Sequence, residues 1–153
     1  MTEERTKQPT AVSNRRALHE YFILESYEAG IALKGTEVKS LRQGNANFQD
    51  AYGTIRNGEV WLIGMHISPF EMGNINNHEP KRDRKLLLHK QEIRRLVSKV
   101  GEKGNTLVPL RVYFKGNVAK IELGVARGKK SYDKRESIAK RDAERQMRRE
   151  LAR

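Results

Sequence analysis

The sequence contains no cysteine. Disulfide bonds, thiol catalysis and cysteine-ligated zinc are therefore excluded, and a reducing compartment, the cytoplasm, is the expected location. Long apolar runs are also missing: runs such as Val60-Trp61-Leu62-Ile63 are far too short to cross a bilayer. The first residues are polar and lack the apolar centre of a signal peptide, so we predict that residues 1–13 form a disordered leader.

Acidic residues are few relative to basic ones. The chain has 31 Lys and Arg against 19 Asp and Glu, a formal net charge of +12. The surplus is uneven: residues 81–103 hold nine basic and three acidic residues, and residues 127–153 hold eleven and five. Clustered positive charge is typical of proteins that bind a polyanion such as RNA, whereas solubility alone does not require clustering.

Signals for catalysis or for a cofactor are also scarce. The four histidines show none of the spacings that metal sites use, and no cysteine is available to complete one. The glycine-rich stretch from Gly30 to Thr36 lacks the lysine of a phosphate-binding loop. We therefore expect no metal, no cofactor and no enzyme activity, although an RNA-modifying enzyme stays open as an alternative.

The pattern of apolar residues predicts a mainly β fold. Strands are predicted where β-branched and aromatic residues recur, at residues 21–28, continuing after a break at Gly30 into 31–33, and at residues 51–56, 59–63, 106–114 and 118–126. Helices are predicted at residues 36–42, with Thr36 as the N-cap, and at residues 90–100. Asn57-Gly58 predicts a type I′ hairpin, and Pro109 predicts a sheet edge or a bulge. About six short antiparallel strands with a helix inserted midway favour a small OB-like β-barrel over residues 14–127.

Four cations stand close together before the second predicted helix: Lys81, Arg82, Arg84 and Lys85. We interpret residues 78–85 as a surface loop. Because a loop does not need this much charge to fold, the four side chains are predicted to bind RNA. An apolar patch, Leu86-Leu87-Leu88, follows directly.

Residues 128–153 form a separate basic tail in this interpretation. Gly128 gives the backbone freedom to leave the barrel, and Asp133 with Glu136 three residues on has the pattern of a helix start. Apolar positions then recur every four residues, at Ala139, Ala143, Met147 and Leu151. That stripe is too narrow to offset an ordering cost of about 1–2 kcal/mol per residue. We therefore predict a tail that is disordered alone and helical when bound to a partner.

Several segments together match the pattern of a known family. They are His19-Glu20-Tyr21-Phe22, Glu28-Ala29-Gly30, Gly35-x-Glu37-Val38-Lys39-Ser40-Leu41-Arg42, Arg84-Lys85-Leu86-Leu87-Leu88 and Gly128-Lys129-Lys130-x-x-Asp133-Lys134-Arg135. With them the chain resembles the SsrA-binding protein (SmpB) family over nearly its whole length from Asn14. The resemblance implies an OB-like barrel that binds the tRNA-like domain of transfer-messenger RNA. It also implies a role in trans-translation, the rescue of ribosomes stalled on messages without a stop codon, with the ribosome and elongation factor Tu on the charged RNA as further partners.

The resemblance also implies roles for individual residues. Asn14, Glu28 and one or more of Leu86–Leu88 look like positions that support RNA binding in the family. Since a carboxylate repels phosphate, Glu28 would accept hydrogen bonds from base edges or from the 2′-OH. With the loop cations, the predicted RNA-binding residues are Asn14, His19, Glu28, Lys34, Lys81, Arg82, Arg84, Lys85, Leu86, Leu87 and Leu88.

The tail resembles the family's segment that occupies the decoding centre and the empty message channel. Its predicted ribosome-binding residues are Lys129, Lys130, Tyr132, Asp133, Lys134, Arg135, Met147 and Leu151. Tyr132 stands where many relatives have histidine, which leaves a stacking role for this ring and argues against proton transfer. The alternative function is that of a general structured-RNA-binding or ribosome assembly protein, which does not need a detachable C-terminal helix that begins at an aromatic residue.

Overall fold

The computed structural model describes residues 10–71 and 77–129, together with residues 143, 145–147 and 149 near the C terminus. The strands are β1 (Thr10–Ser13), β2 (Tyr21–Ile31), β3 (Ala46–Asn47), β4 (Tyr52–Arg56), β5 (Glu59–Ile63), β6 (His66–Ile67), β7 (Arg84–Leu87), β8 (Asn105–Lys115) and β9 (Val118–Gly128). The helices within residues 10–129 are α1 (Arg15–Glu20), α2 (Gly35–Arg42) and α3 (Lys90–Val100). The predicted mainly β fold is confirmed, and α1 is a helix that the sequence pattern did not indicate.

Six of the strands close into an antiparallel barrel. Around the ring β8 pairs with β4, β4 with β5, β5 with β7, β7 with β2 and β2 with β9, and β9 returns to β8. β1 lies outside this ring on β8, and β3 pairs with β6 in a separate two-stranded sheet. Closure pairs backbone groups that an open sheet would leave at its edges.

Local turn chemistry sets two features of the barrel. Asn57 and Gly58 have φ values of 50° and 75°, as a type I′ turn requires, and they join β4 to β5 as predicted. The pairing of β8 with β9 shifts register between Pro109 and Arg111, because proline has no N–H to donate to the ladder. A second register shift, in β2, lies between Ile23 and Glu25. Each bulge bends a long strand, and these strands have to curve to follow the wall of the barrel.

The barrel interior is filled by aliphatic and aromatic side chains from every strand of the ring. Fully buried examples are Val60, Leu62, Leu86, Leu107, Val112, Ile121, Leu123 and Val125. Helix α3 covers one end of this core with Leu96, which is buried, while Ile93 and Val100 pack beside it. Since outward positions alternate with these core positions along each strand, the exterior of the barrel presents a defined set of polar side chains.

The N-terminal boundary of the ordered part lies earlier than predicted. Thr10–Ser13, inside the predicted leader, form β1 and pair with residues 111–113 of β8. The physical reason is that β8 has a free edge beyond the ring, which accepts a further strand. Residues 1–9 of the predicted leader lie outside the described residues.

The first turn of α2 also differs from prediction. The helix begins at Gly35, and Glu37 Oε1 accepts from the backbone N–H of Lys34 at 2.8 Å. Thr36 does not cap the helix; its hydroxyl is 2.8 Å from Nδ1 of the buried His78. His78 Nε2 lies 2.8 Å from the carbonyl oxygen of Ile67. Because that oxygen only accepts, Nε2 is the donor in this contact.

None of the helices in the described part of the chain combines the length and the apolar character that crossing a membrane demands.

Candidate nucleic-acid interface

Arg84 lies inside the protein and not on a surface loop. It is the first residue of β7, and its side chain is 0% exposed. The guanidinium donates from Nε to Glu37 Oε2 at 2.6 Å, from Nη1 to the Met65 carbonyl at 2.7 Å and from Nη2 to the Pro80 carbonyl at 3.1 Å. A side chain without exposed surface offers nothing to RNA, so the predicted RNA contact is wrong for Arg84.

The other three cations of the predicted loop also have acidic partners. Arg82 donates to both carboxylate oxygens of Glu37, at 2.6 and 3.0 Å. The two lysines form surface ion pairs, Lys81 with Asp50 at 3.4 Å and Lys85 with Glu59 at 2.9 Å. Contacts of these three side chains with RNA stay a prediction, but the reason given for them does not hold, because the charges have partners within the fold.

Glu37 is the centre of this buried charge cluster. Burial by itself would raise the pKa of Glu37, but the hydrogen bonds from Arg82 and from the Lys34 N–H, together with the charge of Arg84, leave its pKa below the ordinary value. The carboxylate therefore stays ionised beside two guanidinium groups. The cluster fixes the chain before β7 against α2, and so determines where β7 begins.

The three leucines after Arg84 and Lys85 divide between core and surface. Leu86 is in the core at 2% exposure, Leu87 is 53% exposed, and Leu88 is partly buried against the core. Strand alternation explains the split, since successive side chains point to opposite faces. Leu86 as an RNA contact is therefore wrong, and of the three leucines Leu87 presents the most surface.

Glu28 lies on the exterior of β2 with its carboxylate held from β8. The Tyr113 hydroxyl donates to Glu28 Oε2, and Lys115 Nζ lies 3.4 Å from Oε1. The hydrogen bond from Tyr113 lowers the pKa of Glu28, and the charges of Lys115 and Lys120 act in the same direction. Glu28 is thus a fixed carboxylate that is still 42% exposed and able to accept further hydrogen bonds.

Tyr113 is the buried half of this pair. Burial and the hydrogen bond to Glu28 raise its pKa to about 12. The guanidinium of Arg111 lies 4.2 Å from the centre of the Tyr113 ring, so the ring is held on its face as well as at its hydroxyl. Arg111 also donates to Glu122 at 3.4 Å, on the next strand.

Strand register places further residues beside Glu28. Gly30 of β2 is opposite Leu87 of β7 on one side and opposite Lys120 of β9 on the other. Lys120 is in turn opposite Tyr113 of β8. Directly opposed residues share one face of a sheet. We call the surface formed by Glu28, Leu87, Tyr113, Lys115 and Lys120 the Glu28 face.

The Glu28 face borders a depression of about 440 Å³ above Gly30. Its lining includes Glu28, Gly30, Leu87, Leu88, Glu92 and Lys120. The surface combines two carboxylates, one cation and exposed aliphatic carbon. Such a mixture suits a partner that presents hydrogen-bond donors and flat apolar faces together with phosphate, as folded RNA does.

Sequence reasoning missed Tyr113, Lys115 and Lys120 as members of this face. Alternation in residues 118–126 does indicate that Lys120 points outward, and the alternation of residues 106–114, continued by one position, indicates the same for Lys115. Their position next to Glu28 depends on the register of β2, β9 and β8, which the two bulges shift. Pro109 signals an edge or a bulge in β8, but no local pattern shows the shift in β2 or which residues the two shifts bring together.

Asn14 has a structural role in the fold. Its Oδ1 accepts from the Ala17 N–H at 3.3 Å as the N-cap of α1, and its Nδ2 donates to the Pro109 carbonyl at 2.7 Å. Both ends of the amide are therefore engaged in joining α1 to β8. Lys34 is exposed and His19 is half-buried, and neither borders the Glu28 face through strand register. RNA contacts by these three residues stay a prediction.

The basic tail starts beside α1. The N–H of Lys129 donates to the Glu20 carbonyl at 2.8 Å, and its Nζ donates to the Leu18 carbonyl at 3.2 Å and lies 5.1 Å from the centre of the exposed Phe22 ring. Of the other predicted ribosome contacts, Met147 is helical and 61% exposed. The remaining predictions lie outside the described residues: Lys130, Tyr132, Asp133, Lys134, Arg135 and Leu151.

Among residues 10–71, 77–129 and the few described positions of the tail, no group of three or more His, Asp or Glu side chains is arranged to hold a metal ion.

A closed antiparallel barrel with a face of this composition belongs to the class of small-barrel nucleic-acid-binding proteins. The SmpB protein family model matches residues 11–153, and the chain therefore belongs to the SmpB family. It is 67% identical over 138 residues to the SsrA-binding protein of Carboxydothermus hydrogenoformans, covering 90% of this chain and 93% of that one. It is 63% identical over 143 residues to the SsrA-binding protein of Desulforudis audaxviator, covering 94% of both chains.

A solved structure is similar as well. One of its chains matches with a TM-score of 0.69 and 53% identity, over 83% of this chain and 93% of that chain. That structure is described as "tmRNA-SmpB: a journey to the center of the bacterial ribosome". The similarity in sequence and in fold therefore extends over most of the chain.

Proposed function

We propose that this protein binds the tRNA-like domain of transfer-messenger RNA and brings it to stalled ribosomes for trans-translation. Its relatives are SsrA-binding proteins, and the similar solved structure concerns transfer-messenger RNA and SmpB on the bacterial ribosome. The protein acts in this proposal as an adaptor between two RNAs and contributes no catalytic step.

The composition of the Glu28 face carries the proposal. A surface that bound only phosphate would present cations alone, whereas here an ionised carboxylate stands between Lys115 and Lys120, with the exposed side chain of Leu87 nearby. Carboxylates accept from base amino groups and from the 2′-OH, lysines neutralise phosphates, and aliphatic carbon packs on exposed bases. These are the groups that an irregular, folded RNA presents at its loops.

The basic tail supplies the second contact in this proposal, at the decoding centre and in the message channel. Lys129, the second residue of the tail, is bound to α1 through its backbone N–H and its Nζ. The charge of residues 127–153, eleven basic against five acidic, suits ribosomal RNA. Tyr132 follows three residues after Lys129, and an aromatic ring near cations in the sequence is suited to stacking on a nucleobase.

The division of labour between barrel and tail is tested by measuring affinity for the isolated tRNA-like domain. Deletion of residues 132–153 should leave most of that affinity, because the Glu28 face lies wholly in the barrel. A fall of about a hundredfold, equivalent to about 2.7 kcal/mol, would contradict the proposal. Affinity should also fall linearly with the logarithm of salt concentration as counterions are released.

A substitution at Glu28 tests the face itself. Glu28→Ala should weaken binding of the tRNA-like domain while the melting temperature falls by only a few degrees, because the carboxylate is at the surface and the fold loses one hydrogen bond, from Tyr113. Glu25→Ala is the matched control: Glu25 is another carboxylate of β2 that accepts from a tyrosine, Tyr27, and lies 3.9 Å from a lysine, Lys99. Equal losses of affinity for the two variants, or unfolding of Glu28→Ala, would leave Glu28 without a specific role in RNA binding.

A further inference from the structure

Helix α3 carries a second stripe of side chains beside the one that enters the core. Its members are Lys90, Ile93, Arg94 and Val97, at i, i+3, i+4 and i+7, a spacing that places them on one side of the helix. Ile93 packs partly against the core, whereas Val97 is 49% exposed and the two cations are exposed. We call these four residues the outer stripe of α3.

The outer stripe forms one wall of a groove of about 390 Å³, and the turn between β4 and β5 forms the other. On the turn the lining residue is Gly58, where an added Cβ would meet no atom within 4 Å. The groove is therefore open at the turn, and aliphatic carbon of Ile93 and Val97 lines it. An aliphatic groove between a helix and a turn suits the apolar side chains of another segment.

Lys90 and Arg94 flank the aliphatic carbon without a carboxylate partner. Neither forms an ion pair with any residue of the ranges 10–71 and 77–129. Their positions are also unfavourable for the helix, because the helix dipole disfavours a cation in the first turn and because two like charges at i and i+4 repel each other. Two cations that the fold does not need indicate an anionic partner outside it.

Charges near the turn are neutralised within the fold. The ion pairs there are Lys85 with Glu59 and Arg56 with Asp83, both at 2.9 Å. The net charge at the groove is therefore that of the two cations of the outer stripe. Residues 127–153 of the protein itself, with eleven basic and five acidic residues, have the wrong sign of charge for this groove.

We infer that this groove binds an acidic amphipathic helix of a partner protein, with aliphatic side chains on Ile93 and Val97 and carboxylates toward Lys90 and Arg94. Binding of a helix in a groove uses anchors at i, i+3, i+4 and i+7, which is also the spacing of the outer stripe. RNA is a poorer match, because the residues that line the groove, all within the described part of the chain, include no aromatic ring on which a base could stack.

The groove and the Glu28 face lie on different sides of α3. Glu92 lines the depression beside the Glu28 face, and it is two positions from both Lys90 and Arg94, a spacing at which helix side chains do not face each other. The inference therefore goes beyond the proposed function and does not rest on it. Substitutions in the outer stripe should leave the affinity for the tRNA-like domain unchanged.

The test titrates three designed peptides of about fifteen residues, long enough to form a helix, into the isotopically labelled full-length protein. The first has leucines at i, i+3, i+4 and i+7 flanked by glutamates, the second has lysine for each glutamate, and the third has serine for each leucine. NMR chemical shifts show where each peptide binds. We expect only the first to shift the signals of Gly58, Ile93 and Val97, and we expect a single-stranded oligouridylate to leave them unchanged.

Matched variants separate binding from folding. Arg94→Glu should weaken the glutamate peptide about fivefold, although it relieves the repulsion with Lys90 and so should not destabilise α3. Lys103→Glu, at an exposed lysine beyond the end of α3, is its control. Val97→Asp should weaken the peptide about tenfold, whereas Val118→Asp, at a similarly exposed valine of β9, should leave its affinity unchanged.

Several results would overturn the inference. They are the absence of shifts at the outer stripe with the glutamate peptide, equally strong binding there of the lysine peptide or the oligouridylate, and equal losses for Val97→Asp and Val118→Asp. A rise of several-fold in peptide affinity on deletion of residues 132–153 would show that the tail occupies the groove. A dimer in sedimentation that Val97→Asp dissociates would assign the groove to a second copy of the chain, and either result contradicts a partner protein.

Discussion

The hydroxyl of Tyr113 donates a hydrogen bond to the carboxylate of Glu28, a residue 85 positions earlier in the chain. The two residues lie on strands β8 and β2, which are not neighbours in this part of the barrel; β9 runs between them. The tyrosine side chain therefore reaches across a strand to hold the carboxylate. This pair determines both the direction in which Glu28 points and its charge.

Removal of the Tyr113 hydroxyl should weaken RNA binding through Glu28. In Tyr113→Phe the carboxylate loses its main hydrogen bond, so we expect about a fivefold loss of affinity for the tRNA-like domain, the size of one ordinary hydrogen bond. The free energy of unfolding should fall by only about 1 kcal/mol. Binding titrations and thermal unfolding measure the two effects separately.

A double-mutant cycle shows whether Tyr113 acts through Glu28. The loss caused by Tyr113→Phe should largely vanish in a Glu28→Ala background, since no carboxylate is left to orient. Tyr52→Phe, at an exposed tyrosine of β4, is the matched control and should change neither quantity. Additive losses for Tyr113→Phe and Glu28→Ala would contradict the positioning role.

The Glu37–Arg84 pair should dominate the acid sensitivity of the fold. The pKa of Glu37 is lower in the folded protein than its ordinary value, so its contribution to stability is complete above about pH 4.3. That contribution is lost as the pH falls through the lowered pKa. Glu37→Gln should reduce the free energy of unfolding by about 3–5 kcal/mol at neutral pH, because Arg84 is left buried without a counterion.

Stability measured against pH checks this expectation. The difference between wild type and Glu37→Gln should shrink as the pH falls below 4 or so, because the wild-type carboxylate then becomes neutral as well. Glu59→Gln is the control, since Glu59 pairs with Lys85 at the surface, and it should cost less than about 1 kcal/mol. Parallel curves of stability against pH for wild type and Glu37→Gln would show that protonation of Glu37 does not cause the loss of stability in acid.

The elements set by local chemistry could be predicted from the sequence. The Asn57-Gly58 turn, helix α3 and the long strands β8 and β9 follow from backbone preferences and from apolar periodicity within a few residues. The strand Thr10–Ser13 could not be predicted, because it forms by pairing with the free edge of β8. Its own four residues carry no strong strand signal.

The charges were the least predictable part of the site. Arg84 and Lys85 are neighbours in a basic run, yet one is buried and the other is at the surface, because β7 alternates and Glu37 of α2 lies on the inner side. The partner of Arg84 is 47 residues away in the chain, so the residues around Arg84 do not indicate that it is paired. Glu28 was found only through the family resemblance, and its partner Tyr113 required the register of three strands with two bulges.

Tyr132 should act by stacking when the protein works on the ribosome. Its position lies outside the described residues, so the expectation rests on the sequence: Tyr132 is the only aromatic residue after Phe114, and it follows two lysines. Tyr132→Phe should preserve tagging of stalled nascent chains, because phenylalanine stacks as well, whereas Tyr132→Ala should lose it. A stacked base is worth about 1–3 kcal/mol.

The same two variants should bind the tRNA-like domain with wild-type affinity, since the Glu28 face lies in the barrel. Normal tagging by Tyr132→Ala would refute the stacking role. Failure of Tyr132→Phe as complete as that of Tyr132→Ala would assign the role to the hydroxyl group and not to the ring.

The most direct measurement crosslinks the full-length protein to RNA in living cells and sequences the RNA that is recovered, for wild type and for Glu28→Ala. We predict that transfer-messenger RNA dominates the wild-type sample, with crosslinks concentrated in its tRNA-like domain, and that this fraction falls sharply in Glu28→Ala while contacts with ribosomal RNA decline less. Recovery of ribosomal RNA without transfer-messenger RNA, or an unchanged crosslink pattern in Glu28→Ala, would contradict the account.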